Sequence, residues 1–252
     1  MNLFPHDEIR PEQGKLLNAV KKAIVAKRNI IVHAPTGLGK TAATITPALE
    51  YAIENGLTVF YLTSRHTQHK IVIDTLRKIK EKSKISFTAA DIIGKKNMCS
   101  MQGAQLMHSS DFSEYCRTAR EKGTCSFYEM TKKGQGLTFD SKALISELVL
   151  DNPKNVEAVL QNAVSRKLCA YYISLALAEK SNVIIADYNL IFNPSIRSKF
   201  LSQVQKKLED CIIIVDEAHN LPERIRNNMS VNLTSQVLKL SLIHISEPTR
   251  PY

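Results

Sequence analysis

Apolar positions recur along this chain in two rhythms. Pro11 opens a stretch in which Leu16, Leu17, Val20, Ala23 and Ile24 fall on one stripe, the spacing of an amphipathic helix running to about Lys27. Asn29–His33 is a short apolar run with the character of a buried strand, and a glycine-rich turn follows at residues 34–41. A second helix is predicted from Thr41 to Asn55, stopped by Gly56. Leu57–Leu62 then reads as a strand and Thr67–Lys82 as a third helix. Strand and helix in alternation predict an α/β domain, a parallel sheet covered by helices.

The rhythm breaks over residues 94–180. This segment has no strong strand signal, carries four of the five cysteines, and contains a loop-like stretch at Thr131–Ser141. Helical patterns return at Lys142–Leu150 and Asn155–Lys167. Strand signals resume at Asn182–Ala186 and are strongest at Cys211–Val215, which runs into Asp216-Glu217-Ala218-His219. The pattern predicts one α/β domain in two parts, residues 1–93 and 181–232, interrupted by a module at 94–180. Residues 233–252 are left over as a truncated end. No internal repeat is present.

Composition narrows the class. At 252 residues and 44% hydrophobic content the chain suits one large domain or two small ones, and 23% charged residues exclude a long disordered tail. No apolar run approaches the ~20 residues of a membrane-spanning helix. Met1–Arg10, with Asp7 and Glu8 and no apolar core, is not a secretory signal, so no membrane partner is expected. Five cysteines in a chain without an export signal are expected to stay reduced, as core residues, a reactive thiol or metal ligands. The formal net charge of +10 favours a polyanionic partner. Much of it sits between Arg65 and Lys96, where nine Lys and Arg face Asp74, Glu81 and Asp91.

Ala34-Pro35-Thr36-Gly37-Leu38-Gly39-Lys40-Thr41 lies between a predicted strand and a predicted helix, the setting of a phosphate-binding loop. Gly37 and Gly39 let backbone N–H groups close around phosphate oxygens, and the helix start adds its own unpaired N–H groups. Lys40 suits the β- and γ-phosphates, and the Thr41 hydroxyl suits Mg²⁺. Ala34 stands where the strict pattern has glycine. Asp216 and Glu217, at the carboxyl end of an apolar strand, complete such a site. Asp216 suits Mg²⁺, Glu217 is placed to orient or deprotonate the attacking water, and His219 to sense the γ-phosphate. The pair of motifs predicts hydrolysis of a nucleoside triphosphate.

These two motifs resemble motifs I and II of superfamily 2 helicases, which implies a RecA-like motor domain with ATP as the nucleotide. Arg10-Pro-Glu-Gln13 resembles the adenine-reading element of that group, with Gln13 as the reader. Tyr61-Leu-Thr-Ser-Arg-His-Thr-Gln68 resembles motif Ia, which holds the single-strand phosphate backbone. The resemblance therefore implies DNA contact through Arg65, His66 and Gln68 and extends it to the basic stretch that follows. His66 and His69, three apart on a basic helix, read as DNA-facing or solvated rather than as metal ligands.

Cys99, Cys116, Cys125 and Cys169 are separated by sixteen, eight and forty-three residues. None of these intervals is the Cys-x₂₋₄-Cys of a structural zinc site, while four thiolates are the ligand set of a [4Fe–4S] cluster. Spacing alone favours buried single cysteines. An insertion with four cysteines between motifs Ia and II resembles the XPD family of iron–sulfur DNA helicases and its DinG-like relatives. Lys96-Asn-Met-Cys99, Cys125-Ser-Phe-Tyr-Glu129 and Cys169-Ala-Tyr-Tyr172 resemble the family's surroundings of three ligands, and Ser181–Tyr188 its re-entry strand. The wide interval between Cys116 and Cys125 departs from close-spaced members. Cys211 reads as a core residue. Phe127, Tyr128, Tyr171 and Tyr172 read either as base-stacking or as cluster-shielding.

The resemblance implies the N-terminal part of an ATP-dependent, Mg²⁺-requiring DNA helicase with an inserted, mostly helical [4Fe–4S] domain. Single-stranded or forked DNA is the implied partner, repair the implied setting, and 5′-to-3′ the implied direction. The implied location is the cytoplasm of a prokaryote, at the nucleoid, or a eukaryotic nucleus. Two other classes are compatible: a single-stranded DNA-binding, ATP-binding module whose cluster senses redox state without motor activity, and a zinc-stabilised interaction protein. Leu240–Arg250 resembles a translated sequencing-library adapter; the alternative is a short strand at Leu242–Ile245 and a turn at Pro248. A second RecA-like domain has no room after Asn232, so the 252-residue chain alone is expected to be nearly inactive.

Overall fold

The computed structural model describes residues 3–35, 37–134 and 136–230. Thr36 of the predicted phosphate loop and the predicted adapter-like end lie outside the described residues. The chain opens with α1 (Pro11–Val25), α2 (Lys40–Asn55), β1 (Thr58–Thr63), α3 (His66–Ser83) and β2 (Ala89–Ile92). Then come α4 (Ser109–Glu121), α5 (Ser126–Thr131), a two-residue hairpin of β3 (Lys132–Lys133) and β4 (Gly136–Leu137), α6 (Phe139–Leu150), α7 (Val156–Ser165) and α8 (Ala170–Glu179). The last elements are β5 (Val183–Asp187), α9 (Asn189–Phe192), α10 (Pro194–Gln203), β6 (Cys211–Val215) and α11 (Leu221–Met229).

Four of the strands form a parallel sheet in the order β2-β5-β1-β6. Parallel strands need helical crossovers, and these cover both faces. Alternate residues of β1 go to opposite cores. Val59 and Tyr61 pack with Ile45 and Leu49 of α2 and Ile73 and Leu76 of α3. Phe60 and Leu62 pack with Leu144 of α6, Val159 of α7, Ile173 and Leu177 of α8 and Phe200 of α10. Helices from the cysteine-bearing stretch therefore cover one face of the sheet together with α10. All six residues of β1 are buried, as a central strand requires.

The β2 edge is closed by side chains rather than by another strand. The Asn152 amide accepts from the Ala89 N–H (2.6 Å) and donates to the Ala89 carbonyl (2.8 Å), pairing with the edge as a strand residue would. Lys80 and Arg77 of α3 hold the same turn through the carbonyls of Asn152 and Pro153. Beside it, buried Asp91 meets His69 Nδ1 at 2.6 Å and accepts from the Val156 N–H at 3.0 Å. His69 is thus neither DNA-facing nor solvated: it is a core residue joining α3 to β2.

The strand predicted at Asn29–His33 does not form. Ile30 and Val32 are exposed, and Ile31 is 97% exposed, in a segment outside the sheet. An apolar run becomes a strand only where a ladder and a hydrophobic cover await it, and nothing among the described residues covers the outer side of β6, whose Ile213 is also exposed. An open apolar edge is a site of self-association. Ile31→Lys is therefore expected to slow light-scattering growth in concentrated solution and to change unfolding stability by no more than about 0.5 kcal/mol. A loss of about 2 kcal/mol in a denaturant melt would place Ile31 in a buried strand instead.

Candidate nucleotide and cysteine sites

The turn from Ala34 into α2 is built by two glycines with left-handed backbone, Gly37 (φ 82°) and Gly39 (φ 79°). The flexible amide end of Gln13 lies against Gly39. Gln13 is buried and donates to the Gly39 carbonyl at 3.3 Å, while Arg10 donates to the Gly37 carbonyl at 3.2 Å. The start of α1 therefore braces the loop from behind. Lys40 and Thr41 form the first turn of the sixteen-residue α2. The Lys40 ammonium folds over the loop to the Ala34 carbonyl at 3.0 Å.

β6 delivers the second half. Its ladder with β1 continues one residue further, the Asp216 N–H donating to the Leu62 carbonyl at 2.8 Å. Burial and the neighbouring Glu217 hold the Asp216 carboxyl above the usual aspartate range, partly opposed by the Lys40 ammonium and the Tyr61 hydroxyl. Lys40 and Asp216, far apart in sequence, thus face one another. Burial and the nearby Asp216 carboxylate raise the Tyr61 hydroxyl above the usual tyrosine range. The Thr41 hydroxyl in the first turn of α2 and the Asp216 carboxylate after β6 are an oxygen donor set suited to Mg²⁺ together with nucleotide phosphates.

Glu217 turns the chain with φ 51°, a left-handed conformation uncommon for a residue with a side chain. Tyr188, buried at the end of β5, donates to the carbonyls of Asp216 and Glu217, and Asn220 adds a bond to the Glu217 carbonyl at 3.2 Å. His219 is exposed, its Nδ1 lying 3.3 Å from Glu217 Oε2. The phosphate loop, Gln13, Asp216, Glu217 and His219 are therefore brought to one end of the sheet. Sequence reasoning gave no role to Tyr188, which was visible only as the end of the re-entry strand.

The charge state of Asp216 has a measurable cost. Its folded pKa lies above its unfolded value, so ionisation destabilises the fold as pH rises through the carboxylate range. Asp216→Asn is expected to melt at a higher temperature than the unsubstituted chain at neutral pH, the gap closing as acid protonates the native carboxyl. A lower melting temperature at neutral pH would mean that the carboxylate is a net stabilising group.

Arg65 and His66 are exposed where β1 passes into α3. Gln68 instead turns back to accept from the Thr63 hydroxyl at the strand end. The basic stretch is not one free surface: Arg77 and Lys80 hold the Asn152 turn, Lys82 pairs with Asp7 at 2.9 Å, and Lys96 donates to the Met107 carbonyl.

Cys99, Cys116, Cys125 and Cys169 line a single cavity with Tyr128, Tyr171 and Tyr172. Cys125 immediately precedes α5 and Cys169 immediately precedes α8, and neither side chain caps its helix. Burial pushes the Cys169 thiol up to about 11, opposed in part by Lys95. Lys95 lies 5.3 Å from the ring centres of both Tyr171 and Tyr172, and Arg120 lies 5.6 Å from that of Tyr128 and donates to the Tyr172 hydroxyl. Among the described residues no three His, Cys, Asp or Glu side chains converge on a single metal ion. A four-iron cluster holds its thiolates further apart than one ion does, and four thiols around one cavity match that donor set by chemistry. The cavity they line is small, about 30 Å³. Cys211 stands apart, at the sheet edge, with its thiol on the Lys207 carbonyl at 2.8 Å.

A family model described as DEAD_2 matches residues 61–238, from the centre of β1 through the cysteine cavity and past Asp216-Glu217. The chain belongs to the DEAD_2 family. It is 25% identical to the helicase subunit XPD of general transcription and DNA repair factor IIH from Saccharomyces cerevisiae, over 94% of this chain and 32% of that protein. It is 27% identical to a probable ATP-dependent helicase of Methanocaldococcus jannaschii, over 96% of this chain and 33% of that one. The chain thus spans about a third of the length of these relatives. Among solved structures, an XPD helicase matches 86% of this chain and 34% of its own, with a TM-score of 0.59 and 24% identity. A truncated XPD matches 93% of this chain and 60% of its own, with a TM-score of 0.57 and 23% identity. The DEAD_2 fold here is the parallel sheet with helices of the XPD motor domain.

Proposed function

We propose that this chain is the ATP-binding motor portion of an XPD-like, ATP-dependent DNA helicase. One observation carries the reading: the fold brings the Lys40-Thr41 helix start and the Asp216-Glu217 strand end, on separate elements, near enough for the Lys40 charge to act on Asp216. In this role the loop N–H groups, the α2 start and Lys40 hold the triphosphate. Thr41 and Asp216 hold Mg²⁺, which neutralises charge developing on the phosphates. Glu217, its backbone fixed by Tyr188 and Asn220, takes the proton of the attacking water. His219 reports the γ-phosphate through its contact with Glu217, and Gln13 reads adenine from its place against the loop.

The DNA strand passes the end of β1, where Arg65 and His66 meet phosphates and Gln68 shapes the turn through Thr63. Cys99, Cys116, Cys125 and Cys169 hold a [4Fe–4S] cluster, a cofactor that supplies a rigid covalent tie among the helices around it. A role for the complete protein in DNA repair, on forked DNA, is part of this proposal; a relative named as a subunit of a transcription and DNA repair factor supports the repair setting. In the family that this chain resembles, arginines of a second motor domain complete the ATP site; the 252-residue chain alone is accordingly inferred to bind ATP with little turnover.

The test is ATP hydrolysis by the complete protein with and without single-stranded DNA, alongside strand displacement on a forked duplex. Turnover that rises with DNA and displacement that requires ATP are expected. Hydrolysis indifferent to DNA would contradict the proposal.

A further inference from the structure

A cation drawn out of full solvent needs a partner for its charge. Three half-buried cations surround Tyr172: the Lys95 and Lys132 ammonium groups each lie 5.3 Å from its ring centre, and the Arg120 guanidinium 6.0 Å. Among the described residues none of the three pairs with a carboxylate. Arg120 is fixed from three sides. Its Nε donates to the Cys116 carbonyl at 3.1 Å, its Nη1 donates to the Tyr172 hydroxyl at 3.0 Å, and its guanidinium lies 5.6 Å from the Tyr128 ring centre.

Those contacts fall beside three of the four cysteines. Arg120 stands one turn after Cys116 on α4, Tyr128 just after Cys125 on α5, and Tyr172 just after Cys169 on α8. The Tyr128 and Tyr172 rings meet edge to face, their centres 5.0 Å apart, and give the guanidinium a rigid seat. Arg120 itself lines the cavity with the four thiols. We propose that Arg120 is a positioning residue of the four-cysteine site, tying α4, α5 and α8 together around the cavity and supplying countercharge to an anionic group held there. This rests on the iron–sulfur reading above. Four thiolates outweigh the charge of the iron–sulfur core, and one-electron reduction, with no proton taken up, adds a further negative charge. A fixed cation at the cavity wall favours the more negative state, so Arg120 raises the reduction potential.

The experiment uses the 252-residue chain purified without oxygen, beside Arg120→Gln, Arg120→Lys and Arg117→Gln. Arg117 is the control: it is exposed on the same helix, near Glu114, and does not line the cavity. Iron per chain is measured first, and the midpoint potential is then read by titration with dithionite as the electron donor. In Arg120→Gln the equilibrium should move about tenfold toward the oxidised state, a fall of about 59 mV for one electron. Arg120→Lys should keep most of the native potential and Arg117→Gln all of it. Iron lost from Arg120→Gln but kept in Arg120→Lys would also support the countercharge. An unchanged potential in iron-loaded Arg120→Gln overturns the proposal, as does an equal shift in Arg117→Gln or equal loss of iron from both Arg120 variants. An unsubstituted chain that holds zinc or no metal overturns the iron–sulfur reading and this proposal together.

Discussion

Glu217→Gln in the complete protein is expected to lower ATP turnover by about 10²–10⁴-fold, the range for removing a positioned general base, with nucleotide affinity held within a few-fold. Glutamine keeps the shape and can still hydrogen-bond water, but it cannot accept the proton. The backbone of residue 217 is fixed through its carbonyl by Tyr188 and Asn220, so the exchange leaves the turn in place. The phosphates meet other groups, the loop and Lys40, so binding and chemistry separate. Single-turnover hydrolysis beside equilibrium binding reads the two. Near-native turnover would remove Glu217 from the role of base.

The second large effect concerns iron. Protein purified without oxygen is expected to carry about four irons and to absorb near ~400 nm, and serine at Cys99, Cys116, Cys125 or Cys169 should abolish most of both. Thiolates that hold a cluster contribute folding free energy, so the variants should also melt earlier. The effect should be largest at Cys169, which begins α8 and so ties the cavity to a helix packed on the sheet. Cys211→Ser, at the sheet edge, should keep its iron. Iron retained in Cys116→Ser would take that residue out of the ligand set, and iron replaced by one zinc would favour a structural zinc site.

Where a feature is local in sequence, its meaning was legible. The phosphate loop carries its glycines, its lysine and its helix start within eight residues, and β6 runs directly into Asp216-Glu217, so both were readable without the fold. β2 was not. Ala89–Ile92 is four residues long and contains Asp91, and it is a strand because β5, Asn152 and His69 stand around it. α8 escaped because nearly every side chain in it is buried, which erases the periodicity that marks a surface helix. Asn29–His33 failed the other way, its apolar pattern promising a ladder that the sheet does not provide. His69 was misplaced because its partner lies 22 residues on, beyond the reach of helix spacing.

The central claim is that the two halves of this site close on one nucleotide. Equilibrium binding of a fluorescent ATP analogue to the 252-residue chain in Mg²⁺, repeated with Lys40→Ala, tests it most directly. A charge-assisted bond to phosphate contributes about 1.5–3 kcal/mol, so saturable binding by the unsubstituted chain and a loss of about 10–100-fold in the variant are predicted. Binding of equal strength in both, or in neither, would contradict the account.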